Sequence, residues 1–253
     1  MKFLRNLVLV AVLAFGALVV YVAIFDPGVV SVEYRESKSR EHDAWRKLFV
    51  ANQSFAPVAE AIDAHFDLPR DLRIITQDCG EPNAFYDPQE TAITICYELV
   101  TALARDYQRY VRSDSLLAVA VWQTTLFVVY HEVGHALVDM HQLPVTGREE
   151  DAVDQLATLV LLSAGDDGRD AALRGAEWFG FTGERRRGRF QFWGEHSLDQ
   201  QRYFNVLCWV YGSNPDAHGA LLSKDWGLPR ERAERCPSEY ARMSTAWNRL
   251  LGA

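Results

Sequence analysis

The chain carries an HExxH motif, in which His131, Glu132 and His135 occupy the three defined positions. Side chains four residues apart on a helix point the same way, so the two imidazoles can bind one metal ion. Glu132 lies beside them and is free to accept a proton from water that the metal activates. The motif therefore predicts metal-dependent hydrolysis with Glu132 as the general base.

The motif requires a helix, and the surrounding sequence favours one. Ser113 offers an N-cap, and residues 116–140 contain no proline and a single glycine, Gly134. Pro144 ends the run, because proline cannot continue a helix. We predict one long helix over residues 115–142; the alternative is a pair of surface histidines that bind nothing.

A catalytic zinc site needs a third protein ligand and leaves the fourth position to water. Thr146 and Glu149 have the spacing of a capping box, which predicts a second helix over residues 147–164. Its first turn carries Glu150, and Asp154 follows on the same face. We predict that Glu150 is the third zinc ligand and that Asp154 accepts the free ring N–H of a liganding histidine.

Two other acids lie in the same turn, Glu149 and Asp151. Carboxylates collect at helix N-termini because the helix macrodipole favours negative charge there. We interpret both residues in this way, as acids that stabilise the helix.

His141 is the rival third ligand. It lies six residues after His135, the spacing of the HExxHxxGxxH motif, but Val138 replaces the glycine that turns the chain in that motif. A continuous helix rotates His141 by about 240° from His135 and carries it away from the metal. We therefore expect His141 at the helix end, near the terminal carbonyl groups.

The segment HEVGH, followed by LPVTGREEDAVDQLATLVL, resembles the glutamate-zincin pattern. More narrowly, it is similar to a bacterial family of putative metallopeptidases catalogued mainly as a domain of unknown function. The segments CGEPNAFYDPQETAITICYELV, EHSLDQQRYFNVLCWVYGSNP and RAERCPSEYARM extend the resemblance over about residues 45–250. The chain departs from the best-known glutamate zincins in a shorter gap, 15 residues, between His135 and Glu150.

The resemblance implies a zinc-dependent peptidase of the α+β class with one zinc ion per chain. We expect a mostly helical, zincin-like fold with a small N-terminal β-sheet and a long active-site helix. In zincins a peptide substrate lies against an edge strand as an added strand, and residues 83–86 or 91–95 would serve here. The resemblance implies no particular substrate.

Peptide hydrolysis needs a further donor for the tetrahedral oxyanion. His196 is our candidate, since it precedes a helix predicted over residues 197–212 and Asp199 could orient it. Tyr203 and Tyr211 are the alternative donors. A capping or core role for His196 is the other interpretation.

The N-terminal segment, residues 1–28, contains 19 uncharged positions at 7–25, preceded by two basic residues. This length is about that needed to cross a bilayer, and no good small-x-small cleavage site follows it. We predict a single-pass membrane anchor, a linker over residues 29–44 and a peptidase domain over 45–253 outside the cytoplasm. The alternative is a cleaved signal peptide and a secreted or periplasmic protein.

The chain has four cysteines: Cys79, Cys96, Cys208 and Cys236. None has C-x-x-C spacing, and an exported chain oxidises nearby thiols. Of the three connectivities we predict Cys79–Cys96 and Cys208–Cys236; four free buried thiols are the alternative. The first bond would staple a hairpin of two strands, 72–77 and 91–96, with a turn over 83–88.

The formal net charge of the chain is −8, and its one basic run, at residues 185–189, has no interleaved aromatic platform. We therefore predict a solvated loop there and no nucleic-acid partner. The expected partners are a peptide or protein substrate and the membrane. A second function remains open, a zinc-bearing but proteolytically silent domain that binds a partner. The presence of Glu132 favours the enzyme, because structural zinc has no use for a base.

Overall fold

A computed structural model describes residues 27–185, 188 and 192–252. The strands are β1 (Val30–Tyr34), β2 (Leu72–Gln77), β3 (Ala84–Asp87) and β4 (Ala92–Cys96). The α-helices are α1 (Arg40–Ala51), α2 (Ala56–His65), α3 (Tyr97–Tyr107), α4 (Asp114–Met140), α5 (Glu149–Ser163), α6 (Gly165–Arg185), α7 (Asp199–Ser213), α8 (Arg230–Ala233) and α9 (Cys236–Leu251). The predicted class, α+β and mostly helical, is confirmed. The predicted anchor at 7–25 lies outside the described residues.

The four strands form one sheet in the order β1-β2-β4-β3. β1, β2 and β4 are parallel, and β3 pairs antiparallel with β4. Every residue of β4 is buried, as expected for a strand with neighbours on both edges and helices on its faces. The predicted strands are therefore present, but the hairpin is wrong. Residues 83–88 are not a turn, since they contain β3.

The prediction of a linker over residues 29–44 is also wrong. Val30, Val32 and Tyr34 pack against the core while the residues between them face solvent, and β1 pairs with β2 along its whole length. An edge strand with one exposed face needs apolar residues only at alternate positions. The polar residues of this segment therefore do not exclude a strand. Packing begins at Gly28, where an added Cβ would lie 2.1 Å from the Arg70 carbonyl carbon.

The three predicted helices, over 115–142, 147–164 and 197–212, are present as α4, α5 and α7 with limits that differ by one or two residues. Helix α1 begins at Arg40, where Ser39 caps it by accepting a hydrogen bond from the His42 N–H. Pro57 lies in the first turn of α2. Helices α8 and α9 are separate, because Pro237 starts a new helix.

Helix α4 forms the centre of the domain, with α5 and α6 packed along it. It is the one helix of the described residues that is long and apolar enough to cross a membrane, and most of its apolar stretch is buried inside the domain. A helix that is hydrophobic on all sides is typical of a protein core. Burial in the core thus explains its composition.

Both predicted disulfide bonds, Cys79–Cys96 and Cys208–Cys236, are present. The first joins the carboxyl ends of β2 and β4, which lie at the same edge because the strands are parallel. The second joins α7 to α9 and is fully buried. The chain denatured without reductant should therefore show no free thiol.

Replacement of both Cys208 and Cys236 by alanine should lower the free energy of unfolding by about 3.5 kcal/mol. The bond closes a loop of 28 residues, and its loss restores conformational entropy to the unfolded chain. Urea denaturation of the double variant beside the wild type measures the difference. The Cys79→Ala/Cys96→Ala pair, with 17 residues in its loop, is the matched comparison and should lose about 3 kcal/mol. A loss below about 1 kcal/mol in either pair would contradict the entropic account.

Candidate metal centre

The HExxH residues lie in the second half of α4, and His131 and His135 face α5. The rings of His131 and His135 are one turn apart, with centroids separated by 5.0 Å. His131 and Glu132 are buried, and the His135 side chain is 18% exposed. The two imidazoles are therefore largely shielded from solvent.

Glu150 faces both histidines from the first turn of α5. Its Oε2 is 3.1 Å from His131 Nε2, and its Oε1 is 3.5 Å from His135 Nε2. The three donor atoms lie within 4.8 Å of one another. Donors bound at 2.0–2.1 Å to one tetrahedral ion are about 3.3 Å apart, so these two nitrogens and one oxygen could hold a metal ion. The structure thus brings the three predicted ligands together.

Asp154 lies one turn further along α5. Its carboxylate contacts Nδ1 of His131, the ring nitrogen that does not face Glu150. Its Oδ1 is 2.8 Å from His131 Nδ1, as the sequence analysis expected. Burial raises the pKa of Asp154, but the charge of Arg202 and the hydrogen bonds from Arg202 and His131 hold it well below its usual value. The carboxylate therefore stays ionised and fixes His131 with Nε2 directed at Glu150.

Arg202, on α7, is a site residue that was not among those predicted. Its Nε and Nη2 both donate to Asp154, each over 2.7 Å, and its guanidinium lies 3.9 Å from the centre of the Phe179 ring. Its spacing in the sequence could have indicated that it is buried. Arg202 shares a helical face with Val206 and Trp209, and both are buried. A lone arginine on an apolar face implies a buried anion opposite.

The electrostatics of the cluster favour a bound cation. Burial lowers the pKa of His131, but its hydrogen bonds to Asp154 and Glu150 outweigh burial and raise the pKa to about 9. Burial raises the pKa of Glu150, while hydrogen bonds from His131, His135 and His196 hold it far below its usual value. The carboxylates thus draw positive charge to the histidines, whether as protons or as a metal ion.

Glu132 is set apart from the ligand atoms, and β3 lies against it. Burial raises the pKa of Glu132, and the nearby His131 and His135 oppose that effect. The backbone N–H of Tyr86, on β3, faces its carboxylate. A buried carboxyl group with a raised pKa suits a base that must later return its proton.

Glu149 lies in the first turn of α5, as predicted, and also has a contact that was not predicted. Helix α5 begins at Glu149 with Arg148 as N-cap, so Thr146 is not the cap and the predicted capping box is absent. The freed Glu149 carboxylate turns toward α4, where its Oε1 lies 2.7 Å from His135 Nδ1. Asp151 also has a specific partner, since it accepts a hydrogen bond from Ser197.

His141 caps the C-terminus of α4 and is exposed, as predicted. Its backbone N–H donates to the Leu137 carbonyl. It does not belong to the cluster formed by His131, His135 and Glu150. The helix runs past the motif without the glycine turn that would bring His141 back.

His196, the predicted oxyanion donor, reaches the cluster from the loop before α7. Its Nε2 is 2.9 Å from Glu150 Oε2, and its ring stacks on that of His131 with centroids 6.1 Å apart. Its side chain is 50% exposed. Of the alternatives, Tyr203 donates its hydroxyl to the Trp226 carbonyl, and Tyr211 packs against the core. His196 is therefore the candidate that the structure brings to the ligands.

Gly134, inside the motif, allows α5 to approach α4. A Cβ at this position would lie 2.6 Å from the Cβ and 3.1 Å from the Cα of Val153. Alanine normally stabilises a helix interior by about 1 kcal/mol relative to glycine. Here the clash with the Val153 side chain, whose Cβ cannot rotate away, should reverse that sign.

Gly134→Ala should therefore destabilise the protein by about 1–3 kcal/mol and weaken metal binding, because it moves Glu150 away from the histidines. Thermal unfolding and a zinc titration measure the two effects. Gly147→Ala is the control, since a Cβ there meets nothing within 4 Å. A Gly134→Ala protein as stable as the wild type would show that the helices can separate at no cost.

A buried HExxH helix, a glutamate from the next helix and a carboxylate that contacts the first histidine are the arrangement expected of a metal-dependent hydrolase. Residues 34–251 match the family DUF4344, whose description is "Putative metallopeptidase". The chain belongs to this family, as its sequence resemblance predicted. Comparison with curated proteins and with solved structures found no match.

Proposed function

We propose that the protein is a zinc-dependent peptidase that acts outside the cytoplasm. The observation that carries this proposal is the convergence of the His131, His135 and Glu150 donor atoms beside the buried Glu132. Two imidazoles and one carboxylate are a donor set of catalytic zinc sites. When bound, zinc supplies a Lewis acid that polarises the substrate carbonyl and lowers the pKa of water toward 7.

Two side chains then handle protons and charge. Glu132 accepts a proton from the attacking water and delivers it to the leaving amine, and its raised pKa supports both steps. His196 can direct its Nε2 to the developing oxyanion, because its half-exposed ring already lies at the ligand cluster.

The sheet edge supports an extended peptide as the substrate. β3 is an edge strand, and the Tyr86 N–H faces Glu132. Of the two predicted binding segments, residues 91–95 are excluded, because β4 has a partner on both sides. A peptide added along Ala84–Asp87 would lie beside the proposed base. A mixed sheet with such an edge against the motif helix also supports the zincin-like fold.

Cleavage of a mixed peptide library by the purified full chain in detergent tests the proposal. We expect hydrolysis that depends on added zinc, is lost with a chelator and is absent from Glu132→Gln. The competing function, a silent zinc domain, predicts zinc binding without hydrolysis. The cluster of three donors does not favour a silent zinc domain, because structural zinc sites use four protein ligands.

The two disulfide bonds support a location outside the cytoplasm. With the uncharged segment at residues 7–25 as an anchor, the protein should stay in the membrane fraction after salt and carbonate washing. Immunoblotting of the washed fractions measures this. Release of a form that lacks about 25 N-terminal residues would replace the anchor with a signal peptide.

A further inference from the structure

The loop that carries His196 also carries an exposed tryptophan. Trp193 is 82% exposed, and its neighbour Phe192 is 70% exposed. The other six tryptophans of the chain are buried or partly buried. An indole ring is a large apolar surface, and contact with an apolar partner releases water from it. Its exposure next to a candidate active site therefore points to a ligand.

The loop is attached to the helical turn that supplies the metal ligand. Arg148 Nη1 donates to the carbonyls of Gly194, Glu195 and His196 over 2.8, 3.0 and 3.0 Å. Three successive carbonyls around one nitrogen require the chain to curl tightly there. Ser197 then donates to Asp151 over 2.9 Å. These two anchors lie on either side of Glu150, so the loop position is linked to the metal centre.

Chain geometry limits the distance of Trp193 from the centre. Three peptide units separate it from His196, so their Cα atoms are at most about 11 Å apart. An extended peptide advances about 3.4 Å per residue. The backbone of Trp193 therefore lies within the length of about three extended substrate residues from the backbone of His196.

The charges at this rim are of both signs. The Glu149 side chain is 46% exposed, and Glu195 is also exposed. Arg148 is exposed beside Glu149 and carries the opposite charge. The apolar ring of Trp193, rather than the rim charge, is therefore the feature that could select a substrate side chain.

We propose that Trp193 determines specificity by contact with a large apolar side chain of the substrate, within about three residues of the cleaved bond. This inference rests on the proposed peptidase function and adds a substrate class, extended peptides with a leucine-like or aromatic residue. Trp193 positions substrate and takes no part in the chemistry.

The test compares quenched fluorescent peptides that differ only by leucine, phenylalanine or serine, scanned over three positions on each side of the cleaved bond. The wild type should prefer leucine or phenylalanine at one position. Trp193→Ala should lower kcat/KM for those peptides about 10-fold and change that for the serine peptide less than about 2-fold. Trp193→Phe should recover part of the preference, and zinc content should stay unchanged.

Leu116→Ala is the matched control. Leu116 is an exposed apolar residue, 62% exposed, on α4. It lies 15 residues before His131, about 22 Å along the helix axis. Its replacement should leave the selectivity unchanged.

Four results would overturn the inference. Unchanged selectivity in an active Trp193→Ala protein would remove it and leave the peptidase function intact. An equal loss for all peptides with loss of zinc would show that Trp193 supports the loop. Hydrolysis of no peptide by the zinc-loaded wild type would overturn the proposed function and this inference together. Selective loss of binding to phosphatidylcholine vesicles, with peptide preference retained, would assign Trp193 to a lipid surface instead.

Discussion

Glu132→Gln should abolish peptide hydrolysis and leave one zinc ion bound per chain. Glu132 is buried beside His131 and His135 but supplies none of the three converging donor atoms. Glutamine has nearly the same volume, so the helix and the ligands should keep their positions. Its amide cannot accept a proton from water, and the loss of a general base costs about 10²–10⁴-fold in rate.

The measurement combines initial rates on a cleaved peptide with zinc analysis of the dialysed protein. Glu149→Gln is the matched control, because Glu149 is a carboxylate of the same site that contacts His135 from outside the ligand set. The amide oxygen can still accept that hydrogen bond, so activity should fall less than about 10-fold. Activity of Glu132→Gln above about a tenth of the wild type would exclude Glu132 as the base.

Glu150→Ala should reduce bound zinc far below one ion per chain. Its carboxylate lies within 3.5 Å of both His131 and His135, and alanine leaves only two donors at the site. Two imidazoles alone do not complete a zinc site. Competition with a chelator of known zinc affinity measures the loss.

Two further variants separate ligands from supporting residues. Asp154→Asn should weaken zinc binding about 10–100-fold, because Asp154 orients His131 without touching the metal. His141→Ala should bind zinc like the wild type, since His141 is exposed at the end of α4. Loss of zinc from His141→Ala with retention by Glu150→Ala would overturn the ligand assignment.

Features that depend on residues close in sequence were predictable. The uninterrupted apolar run defined α4, and the four-residue spacing placed His131 and His135 on one face of it. The same spacing aligned Glu150 with Asp154 on the next helix. A helix has a known period, so the sequence alone determines which of its side chains lie together.

Strand direction depends on partners distant in sequence, and the predicted antiparallel hairpin was wrong. A period of two identifies a strand but is the same for parallel and antiparallel pairing. The predicted Cys79–Cys96 bond could have distinguished parallel from antiparallel pairing. Cys79 follows β2 and Cys96 ends β4, so a hairpin would place them about 20 Å apart at opposite ends of the strands. Their Cα atoms are 5.5 Å apart because the strands are parallel.

The class of the fold and the pairing of the cysteines could be predicted from the sequence alone. The sequence alone also supplied the proposed set of metal ligands. Only the tertiary structure placed Arg202 behind Asp154, turned Glu149 to His135 and attached the His196 loop to Arg148. These contacts join residues from 14 to 48 positions apart on different elements. Local spacing does not encode such contacts, because they depend on how closely α4, α5 and α7 pack.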